Sequence, residues 1–199
     1  MKQVLLTTLR DRSTPTEKYR QTANLLAEII AAESGQFLSK KSTPVTTPLD
    51  IADGTALSHE PVLIPILRSG LTLLPPFLRF YPRSPVGFFG IRREEKTAAP
   101  QLYYRNIPPL SPNTPVFILE PMIATAGSAI LAATLLKHAG AEEKNIILVS
   151  VLAAREGIDN FNQCHPKVRH HIVHIDPTLD VKKMIVPGLG DFGDRYFGT

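Results

Sequence analysis

The stretch VFILEPMIATAGSAI, residues 116 to 130, decides the fold of this chain. An apolar run typical of a buried strand ends at Glu120, and a loop of small and hydroxyl residues then leads into an Ala/Leu-rich segment typical of a helix. At such a junction backbone N–H groups and the positive end of the helix dipole face the loop. The stretch therefore predicts an anion site, and a carboxylate at the strand end fits a sugar phosphate.

Further apolar runs predict more strands of the same kind. They are VLIPIL (62–67), NIILVSVLAA (145–154) and HHIVHI (170–175). Residues 14 to 33 predict an amphipathic helix in which Thr14 caps the N-terminus and Leu25 belongs to the apolar stripe. Such alternation predicts an α/β fold with a mainly parallel sheet flanked by helices. Residues 86–110, with aromatics around a charged centre, predict a protruding β-hairpin.

Length and composition limit the classes of protein to consider. The 199 residues, 43% of them hydrophobic, predict a single domain over 1–199, since no repeat or linker divides them. A net charge of +4 does not by itself favour nucleic acid as a partner. The single cysteine, Cys164, excludes an internal disulfide and suits a reducing compartment. With no run of membrane-spanning length, a cytoplasmic protein without a membrane partner is expected.

Two segments carry candidate anion-binding groups. In the opening stretch, Thr125 and Ser128 offer hydroxyls, and the N–H groups of residues 124–128 can form a nest. The spacing is not that of a Walker loop, which disfavours a nucleoside triphosphatase. Arg68 follows another predicted strand, where a guanidinium can clamp a phosphate, while Arg93 lies in the charged centre of the predicted hairpin. A plain turn and ordinary surface arginines remain the alternatives.

The C-terminal tail, IVPGLGDFGDRYFGT, is dense in glycine and carries Asp191 and Asp194. Such a loop can expose its own N–H and C=O groups to the edge of a flat ligand such as a nucleobase; a loop that merely closes the domain is the alternative. Four histidines between residues 165 and 174 suggest a metal site. We reject it because no acidic or cysteine framework accompanies them in sequence.

With these residues assembled, the chain resembles the uracil phosphoribosyltransferase family. The matching segments are LTTLRDRSTPTEKYR at the start, TPLD (47–50), PILRSG (65–70), EPMIATAGS (120–128), ID (175–176) and IVPGLGDFGDRYFGT (185–199). They occur in the family's order over nearly the whole chain. The C-terminal pattern is the one that separates uracil enzymes from other phosphoribosyltransferases.

The resemblance implies a phosphoribosyltransferase fold, a base-binding hood over about 176–199, and a β-arm over about 86–110 that makes dimer contacts. It implies transfer of the 5-phosphoribosyl group from 5-phosphoribosyl 1-diphosphate to uracil, giving UMP and pyrophosphate. Arg68 and Arg93 would contact the pyrophosphate, and Asp191 would position the sugar donor. The remaining donor contacts would be Glu120, Pro121, Met122, Ile123, Ala124, Thr125, Ala126, Gly127 and Ser128. Uracil would lie against Ile185, Gly190, Asp191 and Phe192.

The resemblance also implies Mg²⁺ held mainly through the substrate, a homodimer or homotetramer, and GTP as an activator in some relatives. The chain departs from the family at three positions: Glu120 stands for Asp, Ala126 for Gly, and Met184 for Tyr beside the base. Two rival functions stay open. One is a phosphoribosyltransferase for another base, and the other is a nucleotide-sensing regulator that binds RNA and has lost turnover.

Overall fold

The computed structural model describes residues 1–93 and 99–199. Its helices are α1 (Lys2–Arg10), α2 (Thr16–Ser34), α3 (Leu74–Phe80), α4 (Gly127–His138), α5 (Arg155–Cys164) and α6 (Phe192–Phe197). Its strands are β1 (Lys40–Thr46), β2 (Ile51–Leu57), β3 (Val62–Leu67), β4 (Phe88–Arg93), β5 (Pro100–Asn106), β6 (Val116–Leu119), β7 (Met122–Ile123), β8 (Ile146–Ala154), β9 (Arg169–Asp176), β10 (Thr178–Leu179) and β11 (Ile185–Val186). Short 3₁₀ turns cover Gly35–Phe37, Ser69–Thr72 and Glu143–Asn145.

The central sheet has the order β5-β4-β3-β6-β8, with β9 on the far side of β8. Its pairings are parallel except for β4 with β5, which confirms the predicted mainly parallel sheet. Strand β7 pairs with β8 just beyond β6, so β6 and β7 form one line of strand interrupted at Glu120 and Pro121. The carbonyl of Pro121 accepts from the N–H groups of Val151 and Leu152, which keeps the interrupted line in register.

Alternate residues of each strand point to opposite faces of the sheet, and both faces are buried. Leu63, Phe117 and Val149 pack on one side with α1, α2, α3 and the C-terminal tail. Ile64 and Ile118 pack on the other side with α4 and α5. This double burial explains why the strands read as continuous apolar runs in the sequence.

Two hairpins project from this core. The predicted arm is confirmed as the antiparallel pair β4–β5, and its charged centre extends into residues outside the described part. The second hairpin, β1–β2, was not predicted: residues 35–61 read as a polar, turn-rich passage. Its strands are almost wholly exposed and pair with each other only, so no burial pattern marks them in the sequence.

The predicted N-terminus of the long helix was wrong in detail. Helix α2 begins at Thr16 after Pro15, with no side-chain cap, and the Thr14 hydroxyl donates to the carbonyl of Thr8, 2.7 Å away. Leu25, assigned to the buried stripe, is 54% exposed, whereas Leu26 and Ile30 are fully buried. The apolar face is therefore rotated away from Leu25.

Candidate active site

The carboxyl ends of β3, β6, β8 and β9 lie at one edge of the sheet, where open α/β sheets bind their ligands. A cavity of about 240 Å³ opens there. Ser69 lines it from the turn after β3, Met122 and Ala124 from the segment after β6, and residues 183–185 and 190–193 from the C-terminal tail. The cavity therefore brings together the segments that the sequence proposed separately for phosphate and for base.

Residues 120–126, called the anion loop, connect β6 to α4. Ala126 immediately precedes the helix with φ of 67°, the left-handed conformation in which a Cβ costs about 1–2 kcal/mol. This explains why a glycine suits the position. Thr125 and Ser128 are half-buried at the helix N-terminus, whereas Pro121 and Ile123 are buried and fix the loop to the sheet. Glu120 stands half-buried at the end of β6.

Gly157 of α5 supports the anion loop from beneath. A Cβ at this position would lie 2.1 Å from the carbonyl oxygen of Ala124, a distance that no real Cβ adopts. Only a glycine therefore lets α5 approach the loop backbone this closely. Sequence reasoning missed this residue, because the contact joins segments that are 33 positions apart.

Arg68 follows a cis peptide bond with Leu67 and is largely exposed. One of its guanidinium nitrogens lies 3.3 Å from Oδ1 of Asp194 on α6. An exposed ion pair of this kind is weak, so the guanidinium can exchange its partner for an anionic ligand. Arg93 is the last residue of β4, on the strand next to β3; its side chain lies outside the described part of the structure.

The tail supplies the opposite wall of the cavity. Ile185 is buried in β11, Gly190 has φ of 80°, and the carboxylate of Asp191 accepts from the N–H of Asp194 and so caps α6. Phe192 is 1% exposed, and its ring packs edge-on against Tyr19 at 5.5 Å between centroids. Phe192 is therefore a core residue as well as part of the cavity wall.

Four lining residues lay outside the set of predicted contacts. Ser69 follows Arg68, Lys183 and Met184 precede Ile185, and Gly193 follows Phe192. Lys183 has φ of 61°, and its amine lies 3.3 Å from Glu156 at the start of α5. Their positions beside predicted residues were the available signal, and Met184 was noted only as a departure from the family.

Two of the histidines, His165 and His171, are held by hydrogen bonds away from the cavity. His165 Nδ1 lies 2.9 Å from Glu143, and His171 contacts Ser34 at 2.9 Å and Glu33 at 3.1 Å. Carboxylates thus do accompany them, contrary to the sequence argument, because the partners come from distant segments. Desolvation lowers the pKa of His171, which favours its neutral form. Ser34 is fully buried and donates to its own helix, so this cluster is structural.

Asp191 is the one carboxylate among the described residues that line the cavity. Within residues 1–93 and 99–199, no group of three or more His, Cys, Asp or Glu side chains could hold a metal ion. Mg²⁺ usually takes one or two carboxylates together with substrate phosphates. Asp191 offers such a carboxylate at the cavity, where a diphosphate near Arg68 could supply the other oxygens.

The fold is that of the phosphoribosyltransferases. A solved hypoxanthine-guanine phosphoribosyltransferase from Bacillus anthracis is similar in fold alone, with a TM-score of 0.53 at 11% identity over 81% of this chain and 80% of the other. A solved protein from Aquifex aeolicus is far more similar, with a TM-score of 0.89 at 32% identity over all of this chain and 94% of the other.

The family model described as uracil phosphoribosyltransferase matches residues 1–199, so the chain belongs to that family. The uracil phosphoribosyltransferase of Dictyoglomus turgidum is 39% identical over 98% of this chain and 93% of its own length. That of Salinibacter ruber is 38% identical over 98% of this chain and 91% of its own length.

Proposed function

We propose that this chain transfers the 5-phosphoribosyl group from 5-phosphoribosyl 1-diphosphate to N1 of uracil, giving UMP and pyrophosphate, a salvage reaction. The observation that carries the proposal is the shared cavity. Residues of the anion loop and of the glycine-rich tail line the same space, so a phosphate and a base joined through one ribose can be held together. The family match supports uracil as the base.

The reaction breaks the bond between the anomeric carbon and the pyrophosphate oxygen and forms a bond from that carbon to N1 of uracil, whose proton leaves to water or to the pyrophosphate. Positive charge develops on the sugar and negative charge on the leaving group. Arg68 and Arg93 would stabilise the leaving pyrophosphate, since donors aimed at developing charge lower the barrier. The weak pair of Arg68 with Asp194 supports this role, because its replacement by a diphosphate costs little.

The anion loop and the first turn of α4 would hold the 5-phosphate through the N–H groups of residues 124–128 and the hydroxyls of Thr125 and Ser128. Glu120, at the strand end, would bind the ribose hydroxyls. These contacts fix the anomeric carbon in front of the base, so a large part of the catalysis is positioning. The backbone at Ile185 and Gly190, with Phe192 beneath, would bind the uracil edge, and Asp191 would bridge base and sugar.

Magnesium, when bound with the diphosphate, would neutralise charge on the leaving group. Asp191, the one carboxylate among the lining residues in the described part of the chain, would orient such a substrate-held ion.

We further propose a homodimer or homotetramer. Tyr103 and Tyr104 of the arm, and Val45, Leu49 and Ile51 of the β1–β2 hairpin, are large apolar side chains that are exposed. Contiguous exposed apolar surface marks protein–protein contacts.

Helices in the described segments are too short or too polar to cross a bilayer. We also propose that the protein is cytoplasmic and that GTP activates it. The single unpaired cysteine supports the cytoplasmic location.

A base-competition assay tests the activity. Uracil, cytosine, hypoxanthine and orotate are each offered with 5-phosphoribosyl 1-diphosphate and Mg²⁺, with and without GTP, and the nucleotide product is identified. We expect UMP from uracil; preferential use of another base refutes the choice of substrate. Arg68→Ala and Ser128→Ala should abolish most turnover, whereas the surface control Arg79→Ala should not. No turnover with any base, together with nucleotide or RNA binding, would favour a regulator.

A further inference from the structure

Both backbone groups of Gly188 are held by an ion pair that does not line the cavity. The N–H of Gly188 donates to Oδ2 of Asp176 at 2.9 Å, and its carbonyl accepts from Nη1 of Arg10 at 2.8 Å. Arg10 also donates to both carboxylate oxygens of Asp176, at 2.9 and 2.6 Å. The three residues come from α1, from the end of β9 and from the tail.

The ion pair is built into the interior. Asp176 is 1% exposed, and His174 lies 3.3 Å from the same carboxylate. A buried carboxylate is tolerated only when its lone pairs are occupied, and here the guanidinium and a peptide N–H occupy them. The fork of the guanidinium is needed, since it bonds a carboxylate and a carbonyl at once.

Gly188 itself is held at the centre of a tight turn. Its φ is 62°, and a Cβ would lie 2.1 Å from the carbonyl oxygen of Ile185. Leu189 beyond it is buried, and its carbonyl accepts from Arg195 at 2.8 Å. The turn therefore sets the separation between Ile185 and Gly190, the two cavity residues on either side of it.

We propose that Arg10 and Asp176 are positioning residues for the base, which act by fixing Gly188 so that the backbone groups at Ile185 and Gly190 match the edge of the pyrimidine ring. The proposal rests on the function proposed above. The Arg10–Asp176 pair and its hydrogen bonds to Gly188 are called the clamp. Loosening the clamp weakens the base half of the site and leaves the anion loop, which is built on β6 and α4, intact.

Steady-state kinetics of Arg10→Met and Asp176→Asn test the clamp. We expect KM for uracil to rise by at least about tenfold, because small misplacements of binding groups are costly. KM for 5-phosphoribosyl 1-diphosphate should change by less than about twofold. Arg10→Lys should restore only part of the affinity, because an ammonium lacks the fork. Arg79→Met, which breaks an exposed pair with Glu28, is the matched control and should change neither constant.

Hydrogen exchange of the peptide that covers residues 185–191 gives a second readout that needs no turnover. Faster exchange there in the Arg10 and Asp176 variants, and not in Arg79→Met, supports the clamp even if uracil proves not to be the substrate. Equal rises in both KM values, or unchanged exchange in folded variants, overturn it. If Arg10→Met does not fold, Arg10→Lys and Asp176→Asn carry the same comparison. Failure of the wild type to make UMP refutes the proposed function alone.

Discussion

Gly157→Ala is expected to damage the anion loop from outside the cavity. The added Cβ would lie 2.1 Å from the carbonyl oxygen of Ala124, so the two backbones must separate by about 1 Å to reach an acceptable contact. Helix α5 is anchored in the core by Ile158 and Phe161, which are buried. The loop therefore moves, together with the N–H groups of residues 124–128.

A displacement of about 1 Å in groups that position a substrate costs on the order of a hundredfold in rate. We expect kcat/KM for 5-phosphoribosyl 1-diphosphate to fall by roughly that factor. Overpacking of this kind also costs about 1–3 kcal/mol of folding free energy, and each kcal/mol lowers Tm by about 2–4 °C in a chain of this size. The measurements are UMP formation at varied donor concentration and thermal unfolding.

Gly35→Ala is the matched control. Gly35 has φ of −59°, and a Cβ there would make only an ordinary contact with the Tyr81 hydroxyl at 3.4 Å. We expect activity within about twofold of wild type and equal or slightly higher stability. The reasoning is refuted if Gly157→Ala keeps activity and Tm as close to wild type as this control does.

Three further changes test the site. Asp194→Asn removes the competitor for Arg68 and should lower KM for the sugar donor by up to about fivefold, the value of an exposed ion pair; a raised KM contradicts this. Met184→Tyr should lower KM for uracil by about two- to tenfold through ring stacking, and an unchanged constant would place the base elsewhere. Burial raises the pKa of Asp176, but hydrogen bonds from Arg10 and Gly188 outweigh it and hold the pKa below 3.8. Its stabilisation is therefore present in full above the ordinary pKa of an aspartate and is lost as pH falls through the lowered pKa, so wild type should lose more Tm than Asp176→Asn as pH falls from about 5 towards about 3; parallel curves would oppose the assignment.

The structure shows the local environment of the three residues that depart from the family pattern. Ala126 stands where the resemblance implies glycine, and its left-handed φ shows that the position imposes a cost on any residue with a Cβ. Ala126 is 5% exposed and packs in the core beside α4, which offsets part of that cost. Glu120 lies at the end of β6, and Met184 lies on the cavity wall.

The sequence by itself determined the mainly parallel sheet and the strand–loop–helix junction at residues 116–130. Through the pattern of the C-terminal tail it also determined the family. Strands buried on both faces must be continuous apolar runs, and a loop that binds an anion must be small, so both leave local signals. The exposed β1–β2 hairpin left none, because neither of its faces is buried and no alternation results.

Only the tertiary structure decided which distant residues hold these segments in place. Gly157 beneath the anion loop, Arg10 and Asp176 around Gly188, and the carboxylates beside the histidines are all contacts between remote positions. Each residue alone is an ordinary glycine, arginine or aspartate in its local context. Their roles arise from the separation of two backbones or the partner of a buried charge, and these quantities exist only once the chain has folded.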